Sequence, residues 1–228
     1  MASIFDSDHP FIAFTYYFLR KIVGAVIRLF LIKRVIGLSN FPVNQPAIIA
    51  FNHQSFFDFI CFAAISPRNI HFLSAEKFFE HPLWKFLMMF TGQIRVDRNQ
   101  HDKHELHERV SRHVKRCQLI GIFPEGTRSP HREEMQKAFT GVAIFALRHH
   151  IPIVPVGIRG TYDVMSRHDK WPKIKRVVEI HIGEPLHFSQ HHDKDSDKDI
   201  CVYVTEVVMK ELEKLSGKRY PHYESKLQ

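Results

Sequence analysis

The stretch A-I-I-A-F-N-H-Q-S-F-F-D-F-I-C-F-A-A-I, Ala47 to Ile65, decides the fold. Its first five residues form an apolar run of strand length, and from Phe57 onward apolar residues continue at helical length. The polar N-H-Q-S between them reads as a strand-to-helix turn. The same texture repeats on both sides. Strands are expected at Ala47–Phe51, His71–Ala75, Ile94–Asp97, Leu119–Phe123, Ile153–Ile158 and Val177–Ile182. Helices are expected at Phe57–Ile65, Phe78–Phe90, His101–Cys117, Val142–His149 and Lys198–Leu215. Short apolar runs alternating with amphipathic ones define an α/β fold with a single mixed sheet flanked by helices.

The chain has 228 residues, 44% of them apolar and 25% charged, which excludes a disordered chain, a collagen and a polytopic membrane protein. Its 32 Lys and Arg against 24 Asp and Glu give a net charge of +8, suited to an anionic partner. The cations are spread along the chain without a nucleic-acid-binding motif, so no nucleic acid is expected. Cys61, Cys117 and Cys201 lie far apart without C-x-x-C spacing and are expected as reduced core thiols. His101, His104 and His107 recur at i, i+3 and i+6, where the last has rotated away from the first; a solvated face is expected and no metal site. The polar run His191–Asp199 reads as a solvated loop before the last helix.

Residues 1–40 read as a separate N-terminal segment ahead of an α/β domain over 41–228. Phe11 to Ile32 is apolar over a spanning length but carries Arg20, Lys21 and Arg28, and it lacks a signal-peptide cleavage site. A spanning helix wants about 18 or more apolar residues with few charges. A membrane-associating amphipathic hairpin or bent helix, with the cations at lipid headgroups, fits this composition best. Two ordinary helices packed on the core and a true span are the alternatives.

Two clusters carry chemistry. In N-H-Q-S-F-F-D, His53 and Asp58 stand five residues apart at the end of a strand. Imidazole titrates near neutral pH, which suits a general base, and a carboxylate on the other ring N–H fixes its tautomer. Asp58 also reads as a cap for the following helix. In F-P-E-G-T-R-S, Phe123 to Ser129, a tight turn leaves Glu125, Thr127, Arg128 and Ser129 at another strand end. Arg128 offers a planar fork for phosphate, or a surface ion pair with Glu125.

Together these two blocks, with G-Q-I-R-V-D-R (Gly92–Arg98) and I-P-I-V-P-V (Ile151–Val156) in the same order and spacing, resemble the four signature blocks of the glycerolipid acyltransferases. The resemblance covers Pro46 to Leu186 and is strongest to the bacterial 1-acyl-sn-glycerol-3-phosphate acyltransferases. It implies an acyltransferase domain with His53 and Asp58 as base and orienter, and Arg98, Glu125, Gly126, Thr127 and Arg128 on the acceptor's phosphate and glycerol. It also implies an acyl group passing directly from acyl-CoA or acyl carrier protein to lysophosphatidic acid, without an acyl-enzyme and with no further cofactor. The expected partners are the lipid bilayer, a lysophospholipid acceptor and the acyl donor. The expected location is monotopic, on the cytoplasmic face of the inner membrane. Two departures stand out: K-A-F-T-G (Lys137–Gly141) shifts a lysine of the usual pattern, and Arg95 replaces an aliphatic residue. Another lysolipid or glycerol 3-phosphate as acceptor, a non-catalytic lipid-binding protein on this fold, and a zinc hydrolase are the competing readings.

Overall fold

The computed structural model describes residues 10–80, 82–97 and 104–224. In chain order the elements are α1 (Pro10–Phe30), β1 (Ile32–Ile36), β2 (Ala47–Phe51), α2 (Phe57–Ile65), β3 (Ile70–Ala75), α3 (Lys77–Glu80) and α4 (Pro82–Phe90). There follow β4 (Ile94–Val96), α5 (His104–Lys115), β5 (Leu119–Ile122), α6 (Gly141–His149), β6 (Ile153–Arg159), α7 (Thr161–Val164), β7 (Val178–Ile182) and α8 (Lys198–Ser216).

One sheet orders its strands β1-β7-β6-β2-β5-β3-β4. The five strands from β6 to β4 run parallel, while β7 is antiparallel to β6 and β1 is parallel to β7. β2 lies between β5 and β6 and is buried on both faces, as parallel strands flanked by helices are. Its residues alternate between two cores. Ile48 and Ala50 pack with Ile120, Val142, Val204 and Val208 beneath α6 and α8, while Ile49 and Phe51 pack with Leu31, Cys61 and Phe62 beneath α1 and α2. Truncating Ile48 or Ile49 to alanine costs about 2–5 kcal/mol.

The expected strands are present to within about a residue, as are α2, α6 and α8. The N-terminal segment differs. One uninterrupted helix, α1, rules out the hairpin that was one of the expected forms: Gly24 lies inside the helix, and its close approach to Ala64 lets α1 lie tightly on α2. β1 was not expected at all. It pairs with β7 at the sheet edge, so the strand part of residues 1–40 folds with the α/β domain. Over the expected helix 78–90 the structure describes helix on both sides of residue 81, as α3 and α4. Cys61 and Cys201 are buried thiols, but Cys117 is exposed, because it forms the positive-φ turn that ends α5.

Candidate active site

Three neighbouring strands end side by side and build the site. β2 delivers His53, β5 delivers Glu125 to Arg128, and β6 delivers Thr161. His53 Nδ1 lies 2.9 Å from Asp58 Oδ2. That same oxygen accepts the backbone N–H groups of Gln54 at 2.8 Å and Ser55 at 2.9 Å, and Oδ1 accepts the Thr161 hydroxyl at 2.5 Å. Asp58 is wholly buried and surrounded by donors. The ring proton of His53 therefore belongs on Nδ1, leaving Nε2 as an acceptor on a residue that lines the cleft. Asp58 holds the His53 ring and the turn that precedes α2, but it does not cap that helix as expected: the amides it accepts belong to Gln54 and Ser55, ahead of the helix, and Phe56 stands at the N-cap without a side-chain cap bond. Phe123 stacks on the His53 ring with centroids 4.1 Å apart.

Glu125 is turned away from the cleft. It is 1% exposed, and its Oε1 accepts the His53 backbone N–H at 2.6 Å while Oε2 accepts that of Gln136 at 2.7 Å. Burial pushes its carboxyl up to about 8, against the opposing pull of the two amides. The Ser129 N–H returns to the His53 carbonyl at 2.7 Å, so the two loops are laced together. Gly126 holds a left-handed φ of 64°, and a side chain there would press on the Phe139 ring. Arg128 lays its guanidinium over the Phe56 ring, 3.8 Å from its centroid, at the wall of the cleft. Burial, and then Arg167, lower its pKa, and Asp58 opposes them. The Glu125–Arg128 surface pair weighed from the sequence does not form, because both carboxyl oxygens are engaged elsewhere.

The cleft encloses about 900 Å³. Phe59, Ala63, Leu87, Met88, Val142 and Phe145 are among its apolar walls, with His53, Arg128 and Arg167 among its polar groups. α1 supplies another wall through Arg20, Val23, Gly24 and Ile27. Two of its cations do not reach outward for headgroups as expected. Arg20 donates to the carbonyls of Ser66 and Pro67 at 3.2 and 3.0 Å, and Arg28 to that of Ala64 at 2.8 Å, capping the C-terminal end of α2. The opposite face of α1 presents Phe14, Phe18, Ile22, Val26 and Leu29 outward.

Of the residues read from the sequence, His53, Gly126, Thr127 and Arg128 line the cleft, and Asp58 stands directly behind His53. Glu125 sits beneath the floor rather than in it. Arg98 lies outside the described residues. Thr161 was missed: nothing but its place after the positive-φ Gly160 at the end of β6 marks it. Arg95 points to Glu80, 3.6 Å away, and Lys137 pairs with Glu224 at 2.6 Å. His107 is not solvated as expected; it accepts from Arg148 at 2.7 Å and packs on Phe145. Among the described residues no cluster of three metal-ligating side chains forms.

A histidine–carboxylate pair at the strand ends of an α/β sheet, beside a largely apolar cleft, is an arrangement suited to an enzyme site. The acyltransferase family model matches residues 33–159, and the chain belongs to that family. The 1-acyl-sn-glycerol-3-phosphate acyltransferase of Haemophilus influenzae is 27% identical over 172 residues, 74% of this chain and 69% of that protein. The protein of the same name from Bacillus subtilis is 25% identical over 189 residues, covering 81% and 88%. The crystal structure of the 1-acyl-sn-glycerophosphate (LPA) acyltransferase PlsC from Thermotoga maritima shares the fold, with a TM-score of 0.65 over 92% of this chain and 88% of that one at 24% identity.

Proposed function

We propose that this chain transfers a fatty acyl group from acyl-CoA or acyl carrier protein to the free hydroxyl of lysophosphatidic acid, forming phosphatidic acid. The observation that carries this reading is the His53–Asp58 pair, 2.9 Å apart, at an apolar cleft that also holds Arg128. The names of the relatives support lysophosphatidate as acceptor.

His53 Nε2 takes the proton of the acceptor hydroxyl as its oxygen attacks the thioester carbonyl. Asp58 stabilises the imidazolium so formed. When the tetrahedral intermediate collapses, the C–S bond breaks and the imidazolium returns the proton to the departing thiolate. No residue is acylated. Arg128 holds the acceptor phosphate through its planar fork, with Thr127 beside it and Arg98 as a further phosphate ligand. Glu125 positions the His53 backbone and touches no substrate. The acyl chains lie against the apolar walls of the cleft. The reaction needs no cofactor beyond its donor.

The acceptor is a bilayer lipid, and the outward face of α1 suits the acyl region of one leaflet, on the cytoplasmic side where thioester donors reside. No helix among the described residues is long and apolar enough to cross a membrane. The full chain, incubated with either donor and a panel of lysophosphatidate, other lysolipids and glycerol 3-phosphate, should form phosphatidate from the first. Transfer only to a different acceptor, or to none, would overturn the reading.

A further inference from the structure

The connection from α7 to β7 carries M-S-R-H-D-K-W-P-K-I-K-R, Met165 to Arg176, with five cations against one carboxylate. Trp171 is 80% exposed and Ile174 is 78% exposed, a costly display for two large apolar side chains in water. Cations stand on both sides of each: Lys170, Lys173, Lys175 and Arg176 are all exposed. The loop is held in shape rather than loose. Asp169 accepts from the Ser166 N–H and hydroxyl, both at 2.8 Å, and from Lys173 at 2.9 Å, and the Lys173 N–H donates to the Val164 carbonyl at 2.8 Å.

Topology places this loop beside the site. β7 and β1 run opposite to the five parallel strands, so their first residues lie at the sheet edge where β2, β5 and β6 end. Arg167, at the start of the loop, lines the cleft and donates to the Arg128 carbonyl at 3.4 Å. Arg176, at its end, donates to the Ile32 carbonyl at 3.1 Å, directly beyond the end of α1. The loop thus runs from the cleft to the foot of the helix whose outer face is apolar.

We infer that Lys170–Arg176 is a second docking element, which inserts Trp171 and Ile174 into the interface of a bilayer carrying anionic phospholipid while the flanking cations meet its phosphates. An amphipathic ring at headgroup depth and basic residues around it are the chemistry that such a surface recognises. An acidic protein would meet the cations equally well but gives no reason to present Trp and Ile at the tips. The docked loop and α1 would hold the cleft against the leaflet at two points. This rests on the membrane reading proposed above, and its test needs neither donor nor acceptor.

The full chain and two variants, Trp171→Ser/Ile174→Ser and Lys170→Gln/Lys175→Gln, are floated with vesicles of pure phosphatidylcholine and of phosphatidylcholine with phosphatidylglycerol. The first variant should lose at least about tenfold in binding to both, a floor set below the full burial of two apolar side chains because the bilayer interface is only partly apolar. The second should lose several-fold on the anionic vesicles alone. Unfolding midpoints and transfer to a short-chain acceptor in solution should match the parent chain. In brominated-lipid vesicles, Trp171→Phe should lose the emission quenching seen in the parent chain. Binding and quenching equal to the parent in every variant would overturn the inference. Unchanged vesicle binding with a slower reaction from acyl carrier protein alone would overturn it in favour of an acidic protein partner.

Discussion

The backbone N–H of His53 donates to Glu125 Oε1 at 2.6 Å, which makes a buried carboxyl group from one signature block the support of the proposed base in another. Its second oxygen is committed to Gln136. Glu125→Gln keeps the shape but turns one acceptor into a donor facing an amide N–H. A stability loss of about 1–3 kcal/mol is expected, with a fall in kcat. The group also has a pH signature. Its folded pKa is raised from an ordinary 4.5 to about 8, so the folded chain holds a proton that the unfolded chain has released. Its contribution favours folding at low pH and declines as pH rises from about 4.5 to about 8. Denaturant unfolding at pH 5.5 and 8.5 should show a steeper loss for the parent chain than for Glu125→Gln; equal losses would contradict this assignment.

Thr161 lies two residues beyond the end of the family match, yet its hydroxyl completes the donors around Asp58. Thr161→Val is nearly isosteric and leaves Oδ1 buried without that donor. The unfolding free energy should fall by about 1–3 kcal/mol and kcat should drop, while Thr161→Ser restores both. A valine variant with parental kcat would show that the hydroxyl does not position the pair.

Arg128 stacks its guanidinium plane on Phe56, so its fork is held in a fixed orientation. Arg128→Ala should raise KM for the acceptor by about tenfold or more, the scale of a lost charge-assisted hydrogen bond, and leave KM for the donor near its parental value. Arg128→Lys should recover only part of this, because an ammonium has no fork. Kinetics with each substrate varied in turn decide the matter, and a defect confined to the donor would refute phosphate binding here.

The arginines of α1 tie a cleft wall to α2. Arg28→Ala removes a donor to the Ala64 carbonyl at the end of α2 and should lower stability by about 1 kcal/mol. Because Val23 and Ile27 face the cleft, the KM for long-chain donors should rise more than for short ones. An unchanged chain-length profile would mean that α1 does not shape the acyl site.

The β2–turn–α2 unit was legible because Ala47–Phe51 is a pure apolar run and Asn52–Ser55 a polar break, a contrast that burial on both faces demands. β1 was not, since I-K-R-V-I directly follows an apolar helix with no intervening turn residue, and an edge strand exposes its cations. Arg20 and Arg28 read the same whether they meet lipid phosphates or a helix's last carbonyls; only the position of α2 separates the two. Glu125 was placed in the site by resemblance, and its burial, not its residue type, moves it underneath. Thr161 lay beyond reach, being 103 residues from the carboxylate it serves.

In the proposed reaction His53 takes the proton of a lysophosphatidate hydroxyl. Phosphatidate formation from radiolabelled lysophosphatidate and acyl-CoA by the parent chain and by His53→Ala, both shown to be folded, tests it most directly. Robust transfer by the parent chain and a loss of about 10²–10⁴-fold or more in the variant are expected. A variant that retains more than half of the parental rate would contradict it.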